Sequence, residues 1–225
     1  MIGAHVFKDD RLGLWAIENS GLTDKLKHVL PRVRSVMPVT DIFLPPSATL
    51  IDKQVVRDNG FFVAGYDVAN GRGPTVLGDA MVGTANRLGL AVLEADIELP
   101  NDDKLAPYIT AFVKRVRMHK PNIRLRINVA PFKGYRLPIS LFESDPNLFV
   151  IAQAYSGNMD GRLSEADVLS DLLDWGIHPD DASVMYGVMN GNPRVYTLPS
   201  TVYRAPKRGS LYSDDLLIGA GVLPA

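Results

Sequence analysis

The sequence predicts an α/β fold, a single (β/α)8 TIM-type barrel. Three observations carry that expectation: eight short β-type runs, apolar stretches at helical spacing between them, and a length of 225 residues, close to the roughly 200–250 of one such barrel. Strands that alternate with helices pair in parallel, and eight such units close most economically into a ring.

In chain order the strand candidates are Gly3–Phe7, Asp41–Leu44, Phe61–Tyr66, Ala91–Glu98, Ile123–Ala130, Leu148–Tyr155, Ser183–Val188 and Gly209–Tyr212. Leu22–Met37 carries apolar residues at helical spacing, and Pro31 is expected to kink or divide it. Ile51–Asn59 supplies two turns and Thr75–Leu88 a further helix. Asp102–His119 is the cleanest pattern, with Leu105, Tyr108, Ile109, Phe112, Val113 and Val116 in one stripe and Pro107 near the first turn.

Ser164 can cap a helix through Trp175, with Glu165 and Asp167 at the positive end of its dipole and Val168, Leu169, Leu172 and Leu173 on its buried face. Ser213–Ala220 reads as a last helix. The units after strands five and seven are irregular, because Pro131–Pro146 and Gly187–Gly209 are rich in Pro and Gly; they read as long loops at the barrel mouth. No repeat or linker divides the chain, so residues 1–225 are expected to form one domain. A doubly wound open sheet is the structural alternative.

Composition removes several function classes. Hydrophobic residues at 46% and charged residues at 22% exclude a disordered or fibrous chain. With 24 Lys+Arg against 25 Asp+Glu, the net charge of −1 supplies no field for nucleic acid or an anionic membrane. No cysteine is present, so a disulfide, a thiolate metal site and a cysteine nucleophile are excluded. The first residues lack a secretory pattern and no run approaches a membrane span, so no membrane insertion is expected. A place outside a cell would then come by another route or within an assembly such as a virion.

His5, His28, His119 and His178 show no metal-ligand spacing, and the glycine runs match neither the P-loop nor the dinucleotide fingerprint. No metal and no organic cofactor is expected. His28 and His119 read as surface helix residues.

Chemistry concentrates on the fourth strand. Alternation puts Glu94, Asp96 and Glu98 on one face and Leu93, Ala95 and Ile97 on the other, so in a barrel the acids face inward. Same-face neighbours rise by about 6–7 Å, near the carboxylate separation used by retaining glycosidases. Crowded acids repel, which favours one protonated member beside an ionised one. Glu98, nearest the mouth, is the proton-donor candidate. On the fifth strand Arg124, Arg126 and Asn128 share a face, so Arg126 can pair with Glu94 or Asp96. The bland alternative is a polar barrel layer of Glu94, Asp96 and Arg126 with Glu98 in solvent.

The Glu94-x-Asp96-x-Glu98 run resembles the D-x-D-x-E motif of family 18 glycoside hydrolases, the chitinase-like barrels, with Glu94 in place of the first Asp. The resemblance implies that Glu98 is the general acid and that Asp96 orients the substrate N-acetyl group. Strand six, Phe149-Val-Ile-Ala-Gln153-Ala-Tyr155, resembles the Met-x-Tyr-Asp strand of that family at Tyr155, which implies a substrate-positioning role. The same strand, with Asp96-Ile-Glu98, is equally similar to the W-I-A-Q-Y strand and Asp-x-Glu of family 25 lysozymes, and both resemblances stand. Two departures are Ser210-Leu-Tyr212-Ser where the chitinases carry a tryptophan, and a first strand, Gly3–Phe7, without the lysozyme Asp. The whole chain also resembles glycosidase-like proteins of actinobacterial phage tails.

Candidate substrate contacts are Glu94, Arg126, Asn128 and Gln153 in the barrel, with Tyr66, Asp67, Tyr186, Asn190 and Tyr212 at strand ends. Adjacent Tyr66 and Asp67 cannot both face inward, and Trp15 and Trp175 lie away from the expected strand ends. The functional expectation is a glycoside hydrolase acting on N-acetylated polysaccharide, chitin-like or peptidoglycan, with Glu98, Asp96 and Tyr155 as the catalytic set. The alternative is an inactive glycan-binding or structural barrel, such as a minor tail protein, whose partners are other subunits of a larger assembly.

Overall fold

A computed structural model describes residues 13–16, 21–36, 39–99, 102–129, 136–156, 173, 183–188 and 210–212. The strands are β1 (Gly13–Trp15), β2 (Asp41–Leu44), β3 (Phe62–Val68), β4 (Val92–Asp96), β5 (Arg124–Val129), β6 (Leu148–Ser156), β7 (Ser183–Val188) and β8 (Ser210–Tyr212). The helices are α1 (Leu22–Val36), α2 (Leu50–Asp58), α3 (Pro74–Leu88), α4 (Asp102–His119) and α5 (Ile139–Ser144), one after each of β1 to β5. Each strand pairs in parallel with the next, and β8 pairs with β1 through Gly13–Ser210 and Leu14–Leu211, so the sheet curls into a closed ring.

Alternation along the strands sorts the core into two compartments. Leu93, Ala95 and Ile97, with Leu125, Ile127 and Val129, join the large apolar cluster under the helices. Trp15, Phe43, Ala64, Tyr66, Val92 and Ile151 form the smaller cluster of the opposite parity, inside the ring. The stripe of α4 is buried at Leu105, Ile109, Phe112, Val113 and Val116, and each such side chain removed from water contributes about 1.5–3 kcal/mol. Gly78 lets α3 approach α4 closely, since a Cβ there would lie 2.9 Å from Arg115 Cγ.

Local chemistry explains the helix starts. Thr49 and Asp52 form a reciprocal capping box on α2, and α3 carries Pro74 at its first position and Gly89, at φ +59°, at its end. The Thr23 hydroxyl of α1 donates to Asp52 Oδ1 at 2.5 Å, while the Thr49 N–H and hydroxyl donate to Oδ2, both at 2.7 Å. Burial pushes the Asp52 carboxyl up, but these three donors outweigh it and hold the group below the ordinary carboxylate range.

Four expectations are corrected. The strand paired between β2 and β8 is Gly13–Trp15, not Gly3–Phe7, whose residues lie outside those described. The helix α1 runs through Pro31 undivided. The stretch Pro131–Pro146 holds the short helix α5 instead of being loop throughout. Leu173 is helical but 57% exposed, not buried. The rest of the helix expected at Ser164–Trp175, and that at Ser213–Ala220, lies outside the described residues.

Candidate functional site

The acids of β4 become more accessible toward its C-terminal end. Glu94 is fully buried, Asp96 is 7% exposed as the last residue of the strand, and Glu98 is exposed two residues beyond it. Strand register places Tyr66, Glu94, Arg126 and Phe149 side by side, and Val68, Asp96, Asn128 and Ile151 one step higher. Two polar layers thus stack along the inner wall beneath Glu98.

Glu94 is held by three partners. Arg126 Nε lies 2.9 Å from Oε2, with both side chains fully buried, while Trp15 Nε1 and Asn128 Nδ2 donate to Oε1 at 2.9 and 3.0 Å. A buried carboxylate persists only when paired and hydrogen-bonded, and Glu94 has both. The Arg126 guanidinium also lies over the Phe43 ring, 4.8 Å from its centre. Beneath this contact Gly13 leaves room for the ring, because a Cβ there would fall 2.2 Å from Phe43 Cε2 and 3.3 Å from Arg126 Nη1 and would force the ring to shift.

Trp15 was not legible as a site residue. It ends β1, stacks on Tyr66 at 4.3 Å between ring centres, and reaches across the ring to Glu94 on β4. A signal did exist: a buried indole seeks an acceptor, and Glu94, Asp96 and Glu98 outnumber the two arginines of β5. Three residues of strand were too few to reveal the face on which it lies.

Tyr66 points inward, and its hydroxyl donates to the Ala16 carbonyl at 3.2 Å. Asp67 has the opposite parity; Arg72 donates to its Oδ1 at 2.5 Å. Tyr108 on α4 donates to the Arg72 carbonyl at 2.6 Å, which ties the β3–α3 rim to α4. Burial pushes the Tyr108 phenol up, against the pull of the Arg72 charge. The fold therefore separates Tyr66, in the inner wall, from Asp67, in the outer rim.

Gln153 and Tyr155 stand on β6, opposite Met185 and Gly187, while Tyr186 lies on β7 and Tyr212 on β8. The side chains of these four, and all of Asn190, lie outside the described residues. The described site therefore consists of Glu94, Arg126, Asn128, Trp15 and Tyr66 as a packed inner layer, Asp96 at its upper edge and Glu98 in solvent. Chemically it offers one accessible carboxylate for proton transfer above a shielded one. Among the described residues no group of three His, Asp or Glu could hold a metal ion, and no helix is long and apolar enough to cross a membrane.

No protein-family model and no curated protein sequence matches the chain. Solved structures do match in shape. A Toxoplasma gondii protein provisionally assigned as a deoxyribose-phosphate aldolase shares 12% identity over 93% of this chain and 91% of its own, with a TM-score of 0.60. A Burkholderia cenocepacia protein provisionally assigned as a lyase/mutase shares 12% identity over 97% and 81%, with a TM-score of 0.54. A family 18 chitinase from Cycas revoluta, solved in complex with (GlcNAc)3, shares 12% identity over 78% and 68%, with a TM-score of 0.51. Identities this low establish a common TIM-barrel-like fold among proteins of differing chemistry, and the fold does not choose between them.

Proposed function

We propose that residues 1–225 form one glycan-directed (β/α)8 barrel that hydrolyses a glycosidic bond in an N-acetylated polysaccharide. The observation that carries this reading is the ordered exposure of three acids at alternate positions along β4 and just past its end: Glu94 sealed, Asp96 at the boundary, Glu98 open to solvent at the end where such barrels carry their sites. Glu98 protonates the leaving oxygen, Asp96 stabilises the positive charge that develops on the sugar, and Tyr155 positions the substrate. Glu94, Arg126, Asn128 and Trp15 hold the wall from which Asp96 projects. The fold is compatible with this substrate class, since it is shared with a chitinase solved with (GlcNAc)3, but the choice rests on the acids.

The aldolase likeness receives less support from the residues themselves. A Schiff-base aldolase needs a lysine amine aimed at a carbonyl substrate, and no described strand carries a lysine.

The test compares the parent with Glu98→Gln on chitin oligomers and peptidoglycan. Product release by the parent, reduced at least about 100-fold in the variant, is expected. Equal inactivity of both with retained glycan binding would replace the hydrolase by a binding barrel. One observation favours that second reading: Arg126 balances the Glu94 charge in place, so the lower acid serves the frame. Binding by neither protein would leave a structural barrel whose partners are other subunits of an assembly.

A further inference from the structure

At the N-terminal starts of β3 and β4, the end opposite Glu98, a groove of about 470 Å³ opens between α2 and the α3–β4 turn. Its volume falls within the roughly 300–1,000 Å³ of small-molecule sites. Phe61 and Val92 give it an apolar floor, while Lys53, Arg57 and Phe62 stand on its walls. Phe62 is 65% exposed, an uncommon state for a large aromatic ring on a strand.

The two cations lie four residues apart, on the same face of α2, where like charges repel. Among the described residues no ion pair or side-chain hydrogen bond reaches Lys53 Nζ or the Arg57 guanidinium. The acids of α2 are engaged elsewhere: Asp52 is bound by Thr23 and Thr49, and Asp58 accepts from Gln54 at 2.6 Å. Arg34, behind the groove, is occupied by the Asn59 and Gly60 carbonyls at the end of α2. Gly89 leaves room for the Lys53 ammonium, which would sit 3.3 Å from a Cβ at that position. The groove thus combines two uncommitted positive charges with an exposed ring.

We propose that this groove binds an anion carried on a flat-faced ring, with the anionic group between Lys53 and Arg57 and the ring against Phe62. A phosphorylated sugar and a nucleotide share that chemistry, and the site is independent of the hydrolytic reading of the mouth.

Calorimetric titrations with N-acetylglucosamine 6-phosphate, AMP and inorganic phosphate test it. At least one ring phosphate should bind with a Kd below about 1 mM, and inorganic phosphate about tenfold more weakly or worse. Which ring binds tighter identifies the source. Lys53→Ala/Arg57→Ala should weaken the ring phosphates at least about tenfold, and Phe62→Ala should weaken them while leaving inorganic phosphate unchanged. All three positions are at least partly exposed, so a thermal melt should show the variants folded. Glu98→Gln should leave this binding intact. Saturable binding by neither ring phosphate, equal binding by inorganic phosphate, or affinity undiminished in the double variant would overturn the site. Loss in Glu98→Gln alone would move the anion to the mouth and overturn it as well.

Discussion

Two arginine–carboxylate pairs differ in a way that distance does not capture. Arg115 on α4 meets Asp79 on α3 at 2.6 Å, with side chains 30% and 47% exposed; Arg126 meets Glu94 at 2.9 Å with both at 0%. The shorter pair is the weaker contributor, because water screens it and solvates either partner left alone. The longer pair has no such refuge. Burial sets the consequence of breaking an ion pair, and it also draws in further donors: Trp15 and Asn128 serve Glu94.

Arg126→Met should break the inner pair most severely, leaving an uncompensated carboxylate in the ring at a cost of about 3–5 kcal/mol in denaturant unfolding. Adding Glu94→Gln should recover part of that loss, and a double variant no more stable than the single would refute the pairing. Trp15→Phe keeps the stacking surface on Tyr66 but deletes the indole donor, for an expected loss of about 1.5–3 kcal/mol. Gly13→Ala drives the Phe43 ring out from under Arg126 and should cost about 1–3 kcal/mol, measured in the same way.

Asp52 lies between the two extremes and sharpens the comparison through pH. Its folded carboxyl is depressed, so its stabilisation is complete above the unfolded value of about 3.9 and fades as pH falls through the lower folded value. Asp52→Asn should therefore lose about 1 kcal/mol at neutral pH, and its gap from the parent should narrow in acid. At the outer pair, hydrogen bonding to Arg115 holds the Asp79 carboxyl below its ordinary range, yet Arg115→Ala should leave the melting temperature within measurement error. A clear drop there would show that the α3–α4 contact depends on charge as well as on Gly78.

The readable parts of the sequence were those with enough length to show a period. β2, β7 and α4 have the expected bounds, and β4 and β5 differ from expectation only at their ends. The inward set of Glu94, Asp96, Arg126 and Asn128 followed from alternation alone. Gly13–Trp15 failed the same test because three residues show no alternation, and the more β-like run at Gly3–Phe7 outweighed them. Tyr66 and Asp67 were correctly separated by parity, and the register of β3 on β4, which sets Tyr66 beside Glu94 and Asp67 beside Ala95, decides that Tyr66 faces inward. α5 was hidden by flanking prolines, and Pro31 fits inside α1 despite the backbone donor it lacks.

The ring closes where its strands are shortest. Among the described residues, β1 and β8 have three residues each and meet through two residue pairs, whereas β4 and β5 meet through five. So few backbone bonds make that junction the natural place for the wall to breathe and expose two edges. The indole of Trp15 acts there as a spoke, fastening the short first strand to a carboxylate on the far side of the lumen. Amides of Gly13 and Leu14 should exchange with solvent before those of Leu93 and Leu125, and cutting the spoke should widen that interval.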